Sequence, residues 1–324
     1  MRKNISRKSL VFVLALVTCL ALALTAGAAE KYKGYAKGDV FITVQELNQL
    51  IKAKDSKLVV IAVAHKADYT LGHIPGAFQI WRPDYEADPA TQGGVTDNLL
   101  QPEGFTKLMQ KLGVNPDSKV VVYDSKYDST RIWWAFYYYG KTDVRVLDGG
   151  YKAWSKAGYE ADHLSPSDPK SGTWVAKVTY PRQRVDTPEI LGLKDRKDAQ
   201  LWDNRGDAEF CGKEINKGAF RAGRIPWGVQ ADYALVRGKD GDFLPAADVQ
   251  KVITKLGMDR KKQQYFYCQS GVRTTQWIFT LYALGWPMDK IHNYDSSWIG
   301  WSKDSSLPIE KDCPDTTLAP WQKK

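Results

Sequence analysis

The 324-residue sequence predicts an α/β fold of two tandem domains, each a parallel sheet flanked by helices. Three observations predict it. Short apolar runs alternate with segments of helical spacing, the pattern of a parallel sheet covered on both faces. Five landmarks recur in the same order in the two halves, as an internal repeat requires. The second half carries a strand, a cysteine, a glycine-containing loop and a helical segment in immediate succession, the kind of functional loop found at the carboxyl end of a parallel strand.

The chain opens on the basic run Arg2, Lys3, Arg7 and Lys8, then the apolar run 10–24, then the small residues Ala26-Gly27-Ala28. The apolar run is too short for a comfortable membrane span. The pattern predicts a secretory signal peptide over 1–29, cleaved near Ala28 or Ala29, and a periplasmic or secreted protein with no stable membrane span after cleavage. The formal charge of +9 falls to about +5 once the four cations of residues 1–28 are set aside. That is a mild excess, without the basic run or aromatic-basic pattern that nucleic acid requires.

The expected divisions are a first domain over 38–164, a linker over 165–184, a second domain over 185–305 and an irregular tail over 306–324. In the first domain 42–47 is matched by 185–190 of the second, and the apolar strand 58–62 by 199–203. The turn His73-Ile74-Pro75-Gly76-Ala77 is matched by Arg224-Ile225-Pro226-Trp227-Gly228. The strand 120–124 is matched by 264–268, which sets Asp124 in the position of Cys268. Residues 146–154 are matched by 293–301, where Ser296 and Ser297 replace Gly149 and Gly150. Helical spacing joins Phe105, Leu108, Met109 and Leu112, and likewise Val249, Val252, Ile253 and Leu256. The segment 132–139 is so apolar that its helix is expected to be buried. Pro166, Pro169, Gly172 and Pro181 mark the linker.

Residues 265–267 read as a buried aromatic strand ending at Cys268. Gly271 permits positive φ, Thr274 or Thr275 is expected to cap the helix that follows, and Trp277, Ile278, Leu281 and Leu284 recur at helical spacing. The backbone N–H groups of such a loop form an anion-binding nest, aided by the positive end of the helix. A cysteine there is expected to have a lowered pKa and to be largely thiolate near neutral pH. Arg273 adds a fixed positive charge suited to an oxyanion. Four residues separate Cys268 from Arg273. Cysteine phosphatases space theirs one residue wider, because the cradle must wrap a phosphate, so the spacing argues against a phosphatase or an arsenate-reductase-like enzyme.

Beyond the signal, Cys211, Cys268 and Cys313 remain. An odd number in an exported protein points to one free thiol. Cys211 and Cys313 then form a candidate disulfide tying the tail to the second domain, the alternative being three reduced thiols.

The loop Cys268-Gln269-Ser270-Gly271-Val272-Arg273, the strand end Trp202-Asp203-Asn204-Arg205, the turn 73–77 and Leu147-Asp148-Gly149-Gly150 together resemble the tandem-domain rhodanese sulfurtransferases, the group of thiosulfate and 3-mercaptopyruvate sulfurtransferases. The resemblance spans about residues 40–305. It implies two rhodanese-like domains, the second catalytic and the first an inactive partner, consistent with Asp124, since a carboxylate cannot carry a sulfane sulfur. It implies that Cys268 attacks the outer sulfur of a donor such as thiosulfate, holds a persulfide, and yields the sulfur to a thiophilic acceptor, cyanide or a thiol. Gln269, Ser270, Gly271, Val272 and Arg273 are the expected substrate cradle. Ser270 is a candidate hydroxyl donor to an oxyanion. Asp203 and Arg205 are expected to pair and brace the loop, with Arg205 also a candidate for substrate contact. His73 is expected in a structural turn, Trp298 and Trp301 in the core, and Arg131 in an ion pair or capping the loop that follows Asp124.

The loop also departs from the family. Gln269 and Ser270 stand where thiosulfate-type enzymes often have Arg-Lys, while Gln269 and Arg273 break the mercaptopyruvate pattern. Glu209 stands where a substrate-binding arginine is expected, with Lys213, Lys217, Arg221 and Arg224 as candidate substitutes. A thiosulfate:cyanide sulfurtransferase is therefore the first expectation and the mercaptopyruvate type the second. The alternatives are a periplasmic persulfide carrier with little free turnover, which a sulfur-accepting protein would complete, and a non-enzymatic two-domain binding module. The four histidines are scattered, no Cys-x-x-Cys occurs and no glycine-rich nucleotide fingerprint follows a strand, so no metal or organic cofactor is expected.

Overall fold

The computed structural model describes residues 32–92, 94–96, 98–166 and 169–313. The expected signal peptide and the end of the tail lie outside them. Among the described residues no helix is long and apolar enough to cross a membrane.

The two halves form two five-stranded sheets of identical plan. Strands β1 (Phe41–Ile42), β2 (Leu58–Val63), β3 (Phe78–Ile80), β4 (Lys119–Asp124) and β5 (Val144–Leu147) lie in the order β1-β5-β4-β2-β3. Strands β6 (Arg184–Val185), β7 (Ala199–Asp203), β8 (Gly228–Gln230), β9 (Gln263–Tyr267) and β10 (Ile291–Tyr294) repeat it as β6-β10-β9-β7-β8. The strand pairs are parallel in both sheets. The matched landmarks fall on matching strands, so Asp124 closes β4 and Cys268 follows β9 at the carboxyl end of each central strand. The packing repeats in detail. Tyr123 Oη accepts a hydrogen bond from Ile74 N at 3.1 Å, and Tyr267 Oη accepts one from Ile225 N at 3.1 Å.

One apolar core runs through both halves. The helices Ser129–Tyr138 and Thr274–Ala283 follow the two central strands and pack against each other, Trp133 meeting Phe279 edge-on at 4.9 Å. Every residue of Ser129–Tyr138 is buried, as its composition predicts. Trp298 and Trp301 are core residues of the second half. Residues 32–40, which the repeat does not account for, reach across to the second half: Tyr35 Oη donates to Leu244 O at 2.7 Å, and Lys33 pairs with both Asp148 and Asp242. The linker is held along the first domain, Trp174 N donating to Val114 O and Thr179 N to Tyr138 O, and its last residue, Arg184, already lies in β6.

Cys211 and Cys313 form a disulfide that closes 102 residues of sequence. It joins the end of the short helix Asp207–Phe210 to the tail, beside the antiparallel bridge of Arg224 with Glu310. Long loops lose much unfolded-chain entropy when closed. The Cys211→Ser/Cys313→Ser variant is therefore expected to lose about 2–4 kcal/mol of stability. Urea unfolding of oxidised wild type, reduced wild type and the variant measures this, and the last two midpoints are expected to agree.

Candidate active site

The site is built where β9 gives way to the helix Thr274–Ala283. Cys268 is 1% exposed and is the free cysteine of the described residues. Its backbone is fixed on both sides: Cys268 N donates to Ser297 Oγ at 3.1 Å, and Trp298 N donates to Cys268 O at 3.0 Å. Ile299 N donates to Gln269 O, so the segment after β10 backs the whole loop entrance.

Gly271 has φ +72°, as expected, and a Cβ there would lie 2.7 Å from Asp295 O, so glycine is required twice over. The threonines act differently from expectation. Arg273 occupies the cap position, and neither threonine accepts a helix N–H. Thr274 Oγ1 donates to Gly271 O and Thr275 Oγ1 to Val272 O, both at 2.7 Å. The hydroxyls thus satisfy loop carbonyls, while the backbone N–H groups from Gln269 to Thr274 find no acceptor among the described residues. Six consecutive donors in a mostly buried loop make a nest for an anion.

The side chains of the expected set divide. Ser270 and Val272 are buried in the loop. Gln269 Nε2 donates to Lys217 O at 3.1 Å and so anchors the neighbouring loop over the site. Arg273 is gripped by Glu209, Nη1 to Oε2 at 2.6 Å and Nη2 to Oε1 at 2.8 Å. Burial favours the neutral acid at Glu209, but the Arg273 bonds hold its carboxyl below the usual carboxylate range. Arg205 pairs with Asp203, Nη2 to Oδ2 at 2.6 Å, as expected. Its remaining Nη2 bond goes to Gly223 O and its guanidinium lies over the Trp298 ring, so it braces the wall beside Cys268. Of the candidate substitutes for the missing arginine, Arg221 donates to the Ser302, Trp301 and Leu307 carbonyls, and Arg224 binds Glu310. Lys213 and Lys217 are exposed. His73 is buried, stacked on Tyr69 with ring centroids 3.6 Å apart, in the structural turn expected.

The first domain closes its own nest. Asp124 Oδ2 accepts a hydrogen bond from Ser129 N at 2.5 Å, so the carboxylate is held against its own loop. Arg131 forms an ion pair, as expected. It crosses the domain interface, pairing with Asp295 at 2.6 Å and donating to Gly271 O at 3.2 Å. Among the described residues there is no group of three or more His, Cys, Asp or Glu arranged to hold a metal ion.

Ser297 is the site residue that sequence reasoning passed over, noting it only as a lost glycine. It has φ +48°, where the first copy has Gly150 at +55°. A serine in this conformation is strained by about 1–2 kcal/mol, and its hydroxyl is the acceptor that fixes Cys268 N. Ser297→Gly is accordingly expected to be more stable than Ser297→Ala by about 1 kcal/mol. Both are expected to lower sulfur transfer about tenfold, since each leaves Cys268 N without its partner. Thermal unfolding and steady-state rates of the two variants measure the pair of effects.

A rhodanese-like domain model matches residues 43–157 and 186–304. The sulfur carrier protein TtuD of Thermus thermophilus is 32% identical over 296 residues, 86% of this chain and 99% of its own. A thiosulfate sulfurtransferase of Corynebacterium glutamicum is 32% identical over 75% of this chain and 81% of its own. Among solved structures, the anaerobic ergothioneine biosynthesis enzyme of Chlorobium limicola, in complex with trimethyl histidine, superposes with a TM-score of 0.75 at 26% identity, over 86% of this chain and 72% of its own.

Proposed function

This chain belongs to the rhodanese-like family, and from that premise we propose that it is a sulfurtransferase working through a persulfide on Cys268. The observation that carries the reading is the buried thiol at the mouth of six unclaimed backbone donors. The thiolate attacks the outer sulfur of a sulfane donor such as thiosulfate. A sulfur–sulfur bond forms at Cys268, and the bond to the leaving group breaks with its electron pair, releasing sulfite. The persulfide keeps one negative charge, which the nest donors stabilise. A thiophilic acceptor, cyanide or a thiol, then takes the terminal sulfur and restores the thiolate. In this reading the second domain (185–305) is catalytic and the first (38–164) is a partner whose nest Asp124 fills. Ser270 and the backbone of residues 269–273 bind the sulfur anion.

A second reading is a persulfide carrier that hands its sulfur to another protein. The neutralised Arg273 favours it, and a relative named as a sulfur carrier supports it. Steady thiocyanate formation from thiosulfate and cyanide by the purified protein supports the enzyme reading. A single loading of Cys268 without turnover supports the carrier.

We further propose a periplasmic or secreted location. The Cys211–Cys313 disulfide suits an oxidising compartment, and the basic-then-apolar start of the sequence suits export. Fractionation of cells producing the full chain tests it, with a cytosolic, uncleaved protein as the contrary result.

A further inference from the structure

The departure at Glu209 has an electrostatic consequence for the choice of donor. Arg273 and Glu209 are both nearly buried, their side chains 14% and 8% exposed, and they share two hydrogen bonds. Glu209 is firmly placed, two residues before Cys211 and its disulfide. Asp232 is half-buried close by, within the fields of Arg273, Asp207 and Glu209, and burial raises its pKa. Asp207 is held by Gln230 Nε2 at 2.7 Å. The second arginine of this wall, Arg205, is committed to Asp203. The Tyr233 ring, with its centroid 6.0 Å from the Arg273 guanidinium, brings no charge. Lys213 and Lys217 stand in water, where their fields are screened.

The side chains packed about Arg273 therefore supply two carboxylates, Glu209 and the half-buried Asp232, against one guanidinium, while Asp207 is exposed to solvent like the two lysines. What remains to hold an anion is the row of backbone donors, suited to the single charge of a persulfide sulfur. Removing an ion from water costs free energy roughly as the square of its charge, so a dianion is about fourfold harder to desolvate than a monoanion of the same size.

We propose that Glu209 is a specificity-determining residue: it cancels the Arg273 charge and biases the site against the thiosulfate dianion and toward small thiol persulfides of low charge. The proposal rests on Cys268 as the sulfur carrier. In the favoured step the Cys268 thiolate attacks the terminal sulfur of R–S–SH. A new sulfur–sulfur bond forms at Cys268, the S–S bond of the donor breaks, and RS⁻ leaves with the electron pair, so the Cys268 persulfide forms without an added oxidant or reductant.

The test measures single-turnover loading of Cys268 in the full protein, by quenching and intact mass, with thiosulfate and with the persulfide of β-mercaptoethanol. Glu209→Gln is expected to raise the second-order rate constant for thiosulfate about tenfold, through tighter half-saturation rather than a faster limiting rate, and to leave the mercaptoethanol persulfide rate within about twofold. Added salt is expected to leave the wild-type thiosulfate rate unchanged or to raise it. This second arm needs no variant and decides the matter if Glu209→Gln does not fold. A folded Glu209→Gln protein no faster with thiosulfate, or a wild-type thiosulfate rate falling steeply with salt, overturns the proposal alone. Loading by neither donor overturns it together with the persulfide reading.

Discussion

Cys268→Ser is expected to lower sulfur transfer by at least about 10⁴-fold, because the nucleophile is the one member of such a site that nothing else replaces. The substitution is nearly isosteric. The contacts that place residue 268, its N–H to Ser297 Oγ and its carbonyl to Trp298 N, are made by the backbone and survive. The fold is therefore expected to persist, with a melting temperature within a few degrees of wild type. A serine hydroxyl is a poor nucleophile at neutral pH and cannot hold a sulfane sulfur. Thiocyanate formation and calorimetry on the same preparation separate loss of chemistry from loss of fold. Residual activity above about one part in a hundred of wild type, far over the level expected, would remove Cys268 from the mechanism.

Arg131→Met is expected to cost about 3–5 kcal/mol, the range for one partner deleted from a buried ion pair. Arg131 is fully buried, and Asp295 is 2% exposed. Burial favours the neutral acid at Asp295, but Arg131 and Arg184 hold its carboxyl below the usual carboxylate range. Without Arg131 the carboxylate keeps Arg184 at 3.0 Å and Leu99 N at 3.1 Å and loses its shortest contact. Gly271 O loses a donor at the same time, and Gly271 is the turn of the active loop. Sulfur transfer is expected to fall with stability, although Arg131 belongs to the domain without a cysteine. The Arg131→Met/Asp295→Asn double variant is expected to lose less than the sum of the two single variants, since either change alone already removes the Arg131–Asp295 contact. Urea unfolding of the four members of the cycle gives the coupling. Additive effects would show that the two residues do not act together.

Much of the fold was legible because an internal repeat doubles each signal. The five landmarks matched the strands of one half to those of the other and put Cys268 and Asp124 at equivalent strand ends. Gly271 was readable because only glycine readily takes that φ. What escaped depends on contacts between residues distant in sequence, between the copies or within one, which periodicity does not report. Arg131 reaches Gly271 O, and Gln276 Nε2 reciprocally reaches Tyr127 O at 2.7 Å. A signal for both existed: Thr130-Arg131 and Thr275-Gln276 are polar pairs opening helices that are otherwise almost wholly apolar, and buried polar groups need partners. The Glu209–Arg273 pair bridges 64 residues and brings together two departures that looked independent in sequence. Ser297 was visible as a replaced glycine, but its left-handed backbone and its bond to Cys268 N belong to the folded loop.

Intact mass of the purified wild type and of Cys268→Ser, before and after exposure to a sulfane donor, shows whether Cys268 carries the sulfur. One added sulfur is expected on wild type only, removed by cyanide with release of thiocyanate. Identical masses for the two proteins with thiosulfate, mercaptopyruvate and polysulfide alike would contradict it and leave a binding role in its place.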